Sequence, residues 1–390
     1  MILDISNKAF KNIFGDGKFD LPIRWDGKNF EDSLKDLFQE YIFRVCQAQN
    51  YTCHLDAFLQ YGVNDLDIDV ACFDEKCYGH IIKQICNKLV KTVNLYLNGF
   101  PAEAYDTFSS IMAKIIHTPI KIYPKSDWSD AFNDNDPLNL FRVVSVSENI
   151  NHPRTRIFHT PYSLRTKVGT NRYSIAGFPS LYLGTTIDLC LEEVHSNPYE
   201  SFSLCSLFKI VRDIRECETK IDVIELAIKP QDFLANDKIS IEKSRGRIIN
   251  PDLLDDSDVR MAYLIWYPVI AASSFIRAYK NDPFAPEYII PQLLMQWIRN
   301  WSKEHKNKLL GIRYFSCSSK KASDLGFNYV FPTSGKKHAK AKNHCKILVD
   351  SFKISVPVLI HEFDDTKSCE DYLISLECTE CTDESANVRV

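Results

Sequence analysis

Hydrophobic residues recur with a helical period through the first third of the chain. In His80–Leu97 and again in Ala102–Ile115 an apolar residue falls every three or four positions, which places one apolar stripe along each helix. Gly99 fits the position that ends a helix, and Pro101 fits the first turn of the next one. The pattern predicts a mainly helical domain over residues 1–125. The stripe positions expected to be buried are Ile82, Ile85, Leu89, Val93, Leu97, Ala104, Phe108, Ile111, Met112 and Ile115.

A second pattern begins after a turn-rich linker at residues 126–139. Short apolar runs alternate with helical segments and polar loops, but without a regular strand–helix–strand repeat, which favours an α+β domain over a doubly wound sheet. This domain is predicted at residues 138–360, and residues 361–390 read as an acidic, flexible tail. Strands are predicted at 141–147, 180–184, 202–211, 221–228, 309–316, 329–331 and 345–356, helices at 258–278 and 287–303, and long loops at 148–171 and 230–257.

One apolar run resembles a membrane span in composition. Met261–Phe275 has no charged residue, but it is too short for a bilayer and contains Pro268. A buried core helix is therefore the expectation, and no membrane partner is expected.

Composition narrows the class of protein. The 390 residues are 45% hydrophobic and 25% charged, as in an ordinary globular chain, and the net charge of −4 gives no electrostatic case for binding nucleic acid. The first twenty residues contain no apolar run of the signal-peptide type. With thirteen irregularly spaced cysteines, we expect a cytoplasmic protein with reduced, mostly buried thiols.

Several chemical motifs are weak or missing. The sequence has no glycine-rich phosphate loop, no dinucleotide-binding fingerprint and no nucleophile elbow. Arg154 and His159 have the spacing of some helical ribonucleases, but Pro153 and Pro161 bracket them in a loop. No metal site is expected. Cys378 and Cys381 have the spacing of half a zinc site, but no second pair stands nearby in the sequence. The other candidates are irregularly spaced; they are Cys46, Cys53, Cys72 and Cys77.

The candidate chemistry centres on Arg172–Val194, which reads as a turn, a short strand and a capped helix with paired carboxylates. Asp188 and Glu192 fall on the solvent side of that helix. Glu193 falls at the edge of the apolar stripe formed by Ile187, Cys190, Leu191 and Val194, where a carboxylate can face a cleft. On the pattern alone, a solvated helix face is the favoured interpretation of both glutamates.

The other candidates also have two interpretations. Arg142 lies in an apolar strand and needs either a carboxylate partner or an anionic ligand. Arg172 suits an anion in the same way. Tyr182 fits either the core of a strand or a stacking surface for a flat ring. Ser316 ends a strand, which suits a site rim but carries no chemistry by itself.

Together these residues resemble the RES domain family, which is named for its arginine, glutamate and serine. The resemblance rests on the sequence GTNRYSIAGFPSLYLGTTIDLCLEEV at residues 169–194, with support from FRVV at 141–144, EYIIPQLLMQW at 287–297 and GIRYFS at 311–316 followed by Asn328 and Tyr329. It covers about residues 138–360. The stretch YLNGFPAEAYDTF at 96–108 is similar to the HEPN-like helical domain that precedes RES domains in longer members.

The resemblance implies a fold similar to ADP-ribosyltransferases and an enzyme that consumes NAD+ as substrate, with no further cofactor. By its spacing from Tyr182, Glu193 and not Glu192 matches the family glutamate. Arg142 and Ser316 match the other catalytic positions, and Arg142 and Arg172 would grip the pyrophosphate or an incoming phosphate.

Further site residues follow from the same resemblance. Tyr182 would stack near the nicotinamide ribose, and Tyr173 is expected to contact the substrate. The loop at 148–171 is longer than in compact members, and its His159 and Arg165 are expected to close over the substrate. Ser316 is followed by Cys-Ser-Ser where a basic residue often stands.

The resulting hypothesis is an NAD+ glycohydrolase or phosphorylase that acts as a toxin or antiphage defence effector. A protein mono-ADP-ribosyltransferase and an inactive nucleotide-binding module are the alternatives. Expected partners are NAD+ and an antitoxin or regulatory protein, and self-association is left open.

Overall fold

The protein is described from a computed structural model, which covers residues 7–48, 78–116, 139–147, 152–195, 197, 202–210, 222–234, 257–305 and 309–381. Within these ranges the fold is α+β, as predicted. The α-helices are α1 (Asn7–Phe14), α2 (Phe30–Ala48), α3 (Tyr78–Leu97), α4 (Pro101–Ile115), α5 (Arg154–Ile157), α6 (Ile187–Val194), α7 (Pro230–Leu234), α8 (Ser257–Ala272), α9 (Ile289–Glu304), α10 (Lys346–Ser351) and α11 (Thr366–Ser375).

The strands and the short 3-10 helices complete the described elements. The strands are β1 (Leu140–Ser145), β2 (Ser180–Gly184), β3 (Ser203–Ile210), β4 (Asp222–Leu226), β5 (Leu309–Phe315), β6 (Phe327–Pro332), β7 (Phe352–Ile354), β8 (Val358–Leu359) and β9 (Thr379–Glu380). The 3-10 helices are Tyr162–Lys167, Pro286–Tyr288, Ala322–Asp324 and Ile360–Glu362.

The chain divides into two compact units. The first unit comprises residues 1–122, 229–238 and 249–294, and the second comprises 123–228, 239–248 and 295–390. Helix α8, expected within the domain at 138–360, therefore clusters with the N-terminal helices. The boundaries predicted for functional domains, 1–125 and 138–360, stay predictions.

The first unit is helical and has an aromatic core. Rings of α1, α2 and α8 pack against one another: Phe14 and Tyr267 meet edge to face at 5.1 Å between centroids, and Tyr41 and Tyr267 meet at a tilt at 4.6 Å. The Tyr41 hydroxyl donates to the Leu264 carbonyl at 2.8 Å, so this buried polar group is satisfied. The apolar side chains of helix α8 are buried among neighbours of the first unit.

The predicted stripes of α3 and α4 are buried with one exception. Leu97 is 44% exposed, because the chain turns at Gly99, where φ is +88°, before that side chain meets a neighbouring helix. Pro101 opens α4, as expected. Helix α8 ends at Ala272, before the predicted limit at 278, and Phe275 bridges to Ile23 instead.

The second unit is built on one mixed sheet. Among the described strands the order is β4-β5-β6-β2-β1-β3-β7-β9, with β8 also paired to β3. Only β4 and β5 run parallel within these pairs, and the remaining pairs are antiparallel. The prediction of a sheet without regular crossovers is confirmed by this order.

Four residues that lie opposite one another on adjacent strands position the candidate site. Phe141 of β1 pairs with Gly184 of β2, Gly184 pairs with Asn328 of β6, and Asn328 pairs with Tyr314 of β5. Residues opposite one another project to the same face of a sheet, so Phe141, Asn328 and Tyr314 share the face that α6 covers.

Helix α6 lies close against that face. A Cβ atom on Gly184 would stand 2.7 Å from the Cys190 sulfur, so only glycine fits at this point of the strand. The apolar cluster under the helix joins residues of β1, β3, α6 and α11; it contains Phe141, Val143, Ile187, Cys190, Leu191, Cys205, Leu207, Ile360, Cys369 and Leu373.

Two predicted segments within the second unit differ from the structure. The stretch 148–171 is not one open loop, because α5 and the 3-10 helix Tyr162–Lys167 occupy much of its described part. The strand predicted at 345–356 begins instead as α10, which the ion pair of Lys346 with Asp350, one helical turn apart, supports.

The tail at 361–390 was expected to be flexible, and for residues 361–381 this expectation is wrong. Helix α11 buries Cys369 and Leu373 in the cluster under α6, and β9 pairs with β7 at the sheet edge. Apolar positions at this spacing within an acidic segment give an amphipathic helix that is anchored by one face. Residues 382–390 lie outside the described ranges, as do the linker at 126–138, Cys53, Cys72 and Cys77.

Across the described ranges, none of the helices combines the length and the hydrophobicity needed to span a membrane. Nor do the residues in these ranges bring three or more histidine, cysteine or acidic side chains together as a metal site would require.

Candidate active site

Helix α6 is fixed at its N-terminus by two separate groups. Thr186 is the N-cap, and its hydroxyl oxygen accepts from the Leu189 amide at 3.2 Å while donating to the Leu325 carbonyl at 2.9 Å. The carboxylate of Glu370 on α11 accepts from the Ile187 amide at 2.8 Å. The first turn of α6 is thereby held to both the β6 side and the C-terminal helix.

Glu193 and Glu192 face different surroundings. The Asn328 side chain donates to Glu193 Oε1 at 2.7 Å, so Glu193 lies toward the sheet. Glu192 instead lines a cleft of about 540 Å³ on the outer side of α6, together with Asp188, His195 and Lys321. Both glutamates are partly exposed. The predicted difference in helical phase is therefore present, although Val194, assigned to the buried stripe, is 41% exposed.

Tyrosines gather beside Glu193. The ring of Tyr314 lies 4.7 Å from that of Tyr173, and the hydroxyl groups of Tyr182 and Ser174 share a hydrogen bond of 2.7 Å. Burial raises the pKa of Tyr314 well above its usual value, and the neighbouring acidic groups of Glu193, Tyr182 and Tyr173 raise it further. These groups therefore form one electrostatically coupled cluster around Tyr314.

Arg172 belongs to the same cluster. It lies in a tight turn in which Asn171 and Ser174 exchange two backbone hydrogen bonds of 2.9 and 3.1 Å. Its positive charge lowers the pKa of Tyr314 and of Tyr173, opposing in both cases the larger effect of burial. Because Arg172 is half-buried beside neutral phenols, it supplies a positive charge where an anionic ligand would be favoured.

Arg142 lies where two central strands separate. β1 and β2 pair only at Phe141 and Gly184, and beyond that point the Tyr182 carbonyl accepts from Arg142 Nη1 at 2.8 Å. Arg142 Nε is buried and has no hydrogen-bond partner within the described part of the chain. Burial lowers the pKa of Arg142 to about 10, which still leaves the guanidinium charged at neutral pH.

Arg142 and Glu193 both act electrostatically on a buried thiol, Cys190. Burial raises the pKa of Cys190 to about 12; the Arg142 charge opposes this shift and the Glu193 charge adds to it. Both residues are therefore within electrostatic reach of the same sulfur, which also donates to the Phe141 carbonyl at 3.3 Å. Five predicted residues are thus brought together: Arg142, Arg172, Tyr173, Tyr182 and Glu193.

His159 is placed elsewhere, in a structural role. It is fully buried; its Nδ1 donates to the Thr160 carbonyl at 2.8 Å and its Nε2 accepts from the Cys345 amide at 2.8 Å. Burial lowers its pKa to about 3, so the ring is neutral. The expectation that His159 closes over a substrate is wrong, because both ring nitrogens are already used to anchor the segment.

Ser316 and Arg165 are not joined to the cluster by any contact within the described residues. Ser316 is fully buried, shares a hydrogen bond of 2.8 Å with the Ser318 hydroxyl, and accepts from the Ser318 amide at 3.1 Å. Its hydroxyl is therefore committed to a local turn. Arg165 is exposed and stacks on the Tyr162 ring at 4.6 Å.

Three residues of this region were not assigned a role from the sequence. Asn328 holds Glu193, Tyr314 joins the tyrosines to it, and Glu370 caps its helix. A signal for Asn328 exists in the sequence FNYVF, since an amide inside an apolar strand must find a partner. Nothing local marks Glu370, whose partner is 183 positions away.

Comparison with known proteins gives one informative relative. No family model matches the sequence, and no solved structure matches it. The chain is 27% identical over 363 residues to a protein of Bacillus subtilis (strain 168) named "Putative toxin YopC", an alignment that covers 91% of this chain and 72% of that protein.

Proposed function

We propose that this protein is a toxin-like enzyme that breaks the nicotinamide–ribose bond of NAD+. The observation that carries the proposal is the Glu193 carboxylate, held by Asn328 at 2.7 Å beside a cluster of tyrosines and Arg172. The resemblance to RES domains supplies the substrate class. The toxin assignment is supported by the name of the Bacillus subtilis relative, "Putative toxin YopC".

The proposed step needs a fixed negative charge next to the ribose. When the bond between ribose C1′ and the nicotinamide nitrogen breaks, its electron pair leaves with nicotinamide, which becomes neutral, and the ribose becomes oxocarbenium-like. A preorganised carboxylate stabilises that developing cation without the need for a metal. Water or phosphate then forms the new bond to C1′; a water nucleophile loses its proton to solvent or to the carboxylate.

Each residue of the cluster has a role in this proposal. Glu193 stabilises the cation and Asn328 orients it, while Arg172 binds a phosphate oxygen of the dinucleotide. Arg142 provides a second fixed positive charge between β1 and β2. Tyr182, which is partly exposed, supplies aromatic surface for a flat ring, and the buried Tyr314 packs in the same cluster beside Glu193. Ser316 and His159 are left out of the chemistry, because their polar atoms are already engaged.

The biological part of the proposal concerns control. An enzyme that depletes NAD+ in the cytoplasm harms its own cell, so we expect an antitoxin or regulatory protein that blocks the cleft. The proposal requires neither a bound cofactor nor a nucleic acid.

The direct test is product analysis. The purified chain is incubated with NAD+, with and without inorganic phosphate, and the products are identified by mass spectrometry. Free nicotinamide with ADP-ribose indicates hydrolysis, and ADP-ribose 1″-phosphate indicates phosphorolysis; both support the proposal. Mass added to a protein indicates ADP-ribosyl transfer instead, and NAD+ that binds without turnover indicates an inactive binding module; either result overturns it.

A further inference from the structure

Arg299 on α9 is a partly buried arginine without a hydrogen-bond acceptor in the described part of the chain. Its guanidinium lies over the Phe178 ring, 3.9 Å from the centroid, which fixes the plane of the side chain. Stacking occupies the face of the guanidinium and leaves its N–H groups, which point outward in the plane, available for an acceptor.

Other partly or fully buried arginines show what a structural role looks like in this protein. Arg313 pairs with the Glu225 carboxylate at 2.5 Å, Arg44 pairs with Asp16 at 2.7 Å, and Arg154 donates to the Ile354 carbonyl at 2.9 Å. Arg299 has no such acceptor among the described residues, and none of its nitrogens is both buried and unpartnered, so its N–H groups are open to solvent. Arg299 therefore differs from these arginines, because its N–H groups are available to an anionic ligand.

A second arginine, Arg165, belongs to a segment that lies beside Phe178, because the Gly177 amide donates to the Val168 carbonyl at 2.9 Å. Arg165 stacks on the Tyr162 ring at 4.6 Å and likewise has no acid or carbonyl partner among the described residues. Burial lowers the pKa of Arg299, and the charge of Arg165 lowers it further, so the two guanidinium groups repel each other. Tyr162 is held in place because its hydroxyl accepts from the Gly335 amide at 3.0 Å.

We propose that Arg165 and Arg299 form a second anion site, which binds a phosphate group. A doubly charged phosphate relieves the repulsion between two arginines and offers acceptor oxygens to the N–H groups of both. No contact joins either residue to the described side chains around Glu193. The inference does not depend on NAD+ cleavage. The phosphate group belongs either to inorganic phosphate or to a dinucleotide.

The test measures phosphate binding to the full chain by isothermal titration calorimetry. The variants are Arg299→Gln and, in case that change disturbs the packing on Phe178, the exposed Arg165→Gln. Loss of one charge-assisted arginine contact is expected to weaken phosphate binding about tenfold or more in either variant. The matched control is Lys303→Gln, which removes an exposed positive charge one turn farther along the same helix and should leave the affinity within about twofold.

A second titration identifies the source of the phosphate. NAD+ is titrated into Glu193→Gln, with and without the Arg299→Gln change. Weaker NAD+ binding assigns the site to a dinucleotide phosphate, whereas unchanged NAD+ binding with lost phosphate binding assigns it to inorganic phosphate; both support the site. Wild-type protein that does not bind phosphate, or folded arginine variants that bind it as well as wild type, overturns the proposal whether or not the protein cleaves NAD+.

Discussion

Asn328 donates a hydrogen bond of 2.7 Å to Glu193, and this contact joins the central strand β6 to the helix that carries the carboxylate. Asn328 is almost fully buried and pairs with Gly184 on one side and Tyr314 on the other. A rigid strand therefore sets the position of Glu193. The same contact separates Glu193 from Glu192, which faces the outer cleft.

Replacing Asn328 with alanine is expected to lower the rate of NAD+ cleavage. Without the amide, Glu193 loses its orienting partner, and misplacement of a reacting group by about 1 Å costs roughly a hundredfold in rate. The measurement is nicotinamide release at saturating NAD+. The control is Tyr329→Phe, at the next position of β6, whose hydroxyl has no hydrogen-bond partner within the described residues and whose loss should change the rate by no more than about twofold. Equal effects of the two changes would show that Asn328 does not orient Glu193.

Replacing Glu370 with alanine is expected to destabilise the second unit. The Ile187 amide at the start of α6 loses its acceptor, which costs about 1 kcal/mol for a helix cap. Thermal unfolding measures the change. Asp371→Asn is the control, because that exposed carboxylate pairs only with Lys367 among the described residues and contributes little.

The Glu370→Gln variant separates the cap from the charge. Burial raises the pKa of Glu370, so the folded state holds the proton more tightly than the unfolded state does. The contribution of this group to stability is thus largest below the unfolded pKa of 4.5 and declines as pH rises through the higher folded pKa. Glutamine keeps an acceptor oxygen but does not titrate. Its melting temperature relative to wild type should therefore increase between pH 4 and pH 7, and no such trend would contradict the assignment.

His159 is expected to make the protein acid-sensitive. Its pKa falls from 6.5 to about 3 on folding because the ring is buried, so the unfolded chain binds the proton first. Stability is fully present above pH 6.5 and is lost as pH falls toward 3, by about 3 kcal/mol at pH 4. Urea unfolding at pH 7 and pH 4 measures this loss. His159→Gln should show a smaller loss between the two pH values, and an identical loss would mean that other groups cause it.

Replacing Glu225 with glutamine is expected to have a large effect on stability. Arg313 is fully buried, and its guanidinium also lies over the Phe327 ring at 3.9 Å. Glutamine at position 225 removes the negative charge that pairs with Arg313. The buried cation then has no counter-ion, which lowers the free energy of unfolding by about 3–5 kcal/mol. Urea unfolding checks the value against Lys367→Gln, which breaks an exposed pair worth about 0–1 kcal/mol. A loss no larger than that of the exposed pair would show that Glu225 is dispensable.

The sequence predicted the local features of this fold well. The apolar period predicted α3 and α4, and the segment Leu181–Val194 predicted a strand followed by a capped helix, because these features depend on neighbours within a few residues. Helical phase also separated Glu193 from Glu192. The strand predicted at 345–356 was wrong where an ion pair one turn apart supports a helix.

The sequence pattern could not predict contacts between residues that are far apart in the chain. The roles of Asn328 and Glu370 arise from partners 135 and 183 positions away, and the burial of His159 depends on a contact 186 positions away. The sequence around His159 does not distinguish a histidine exposed in a loop from a buried histidine that anchors the segment. Only the fold shows that the His159 ring has no nitrogen left for a substrate.

The measurement that tests the central claim most directly compares Glu193→Gln with Glu192→Gln in the release of nicotinamide from NAD+. Both variants remove one negative charge from the same helix, but only Glu193 accepts the Asn328 hydrogen bond. We predict that Glu193→Gln lowers turnover by roughly 10²–10³-fold, whereas Glu192→Gln stays close to wild type. Full activity in Glu193→Gln, or a greater loss in Glu192→Gln, would contradict the account.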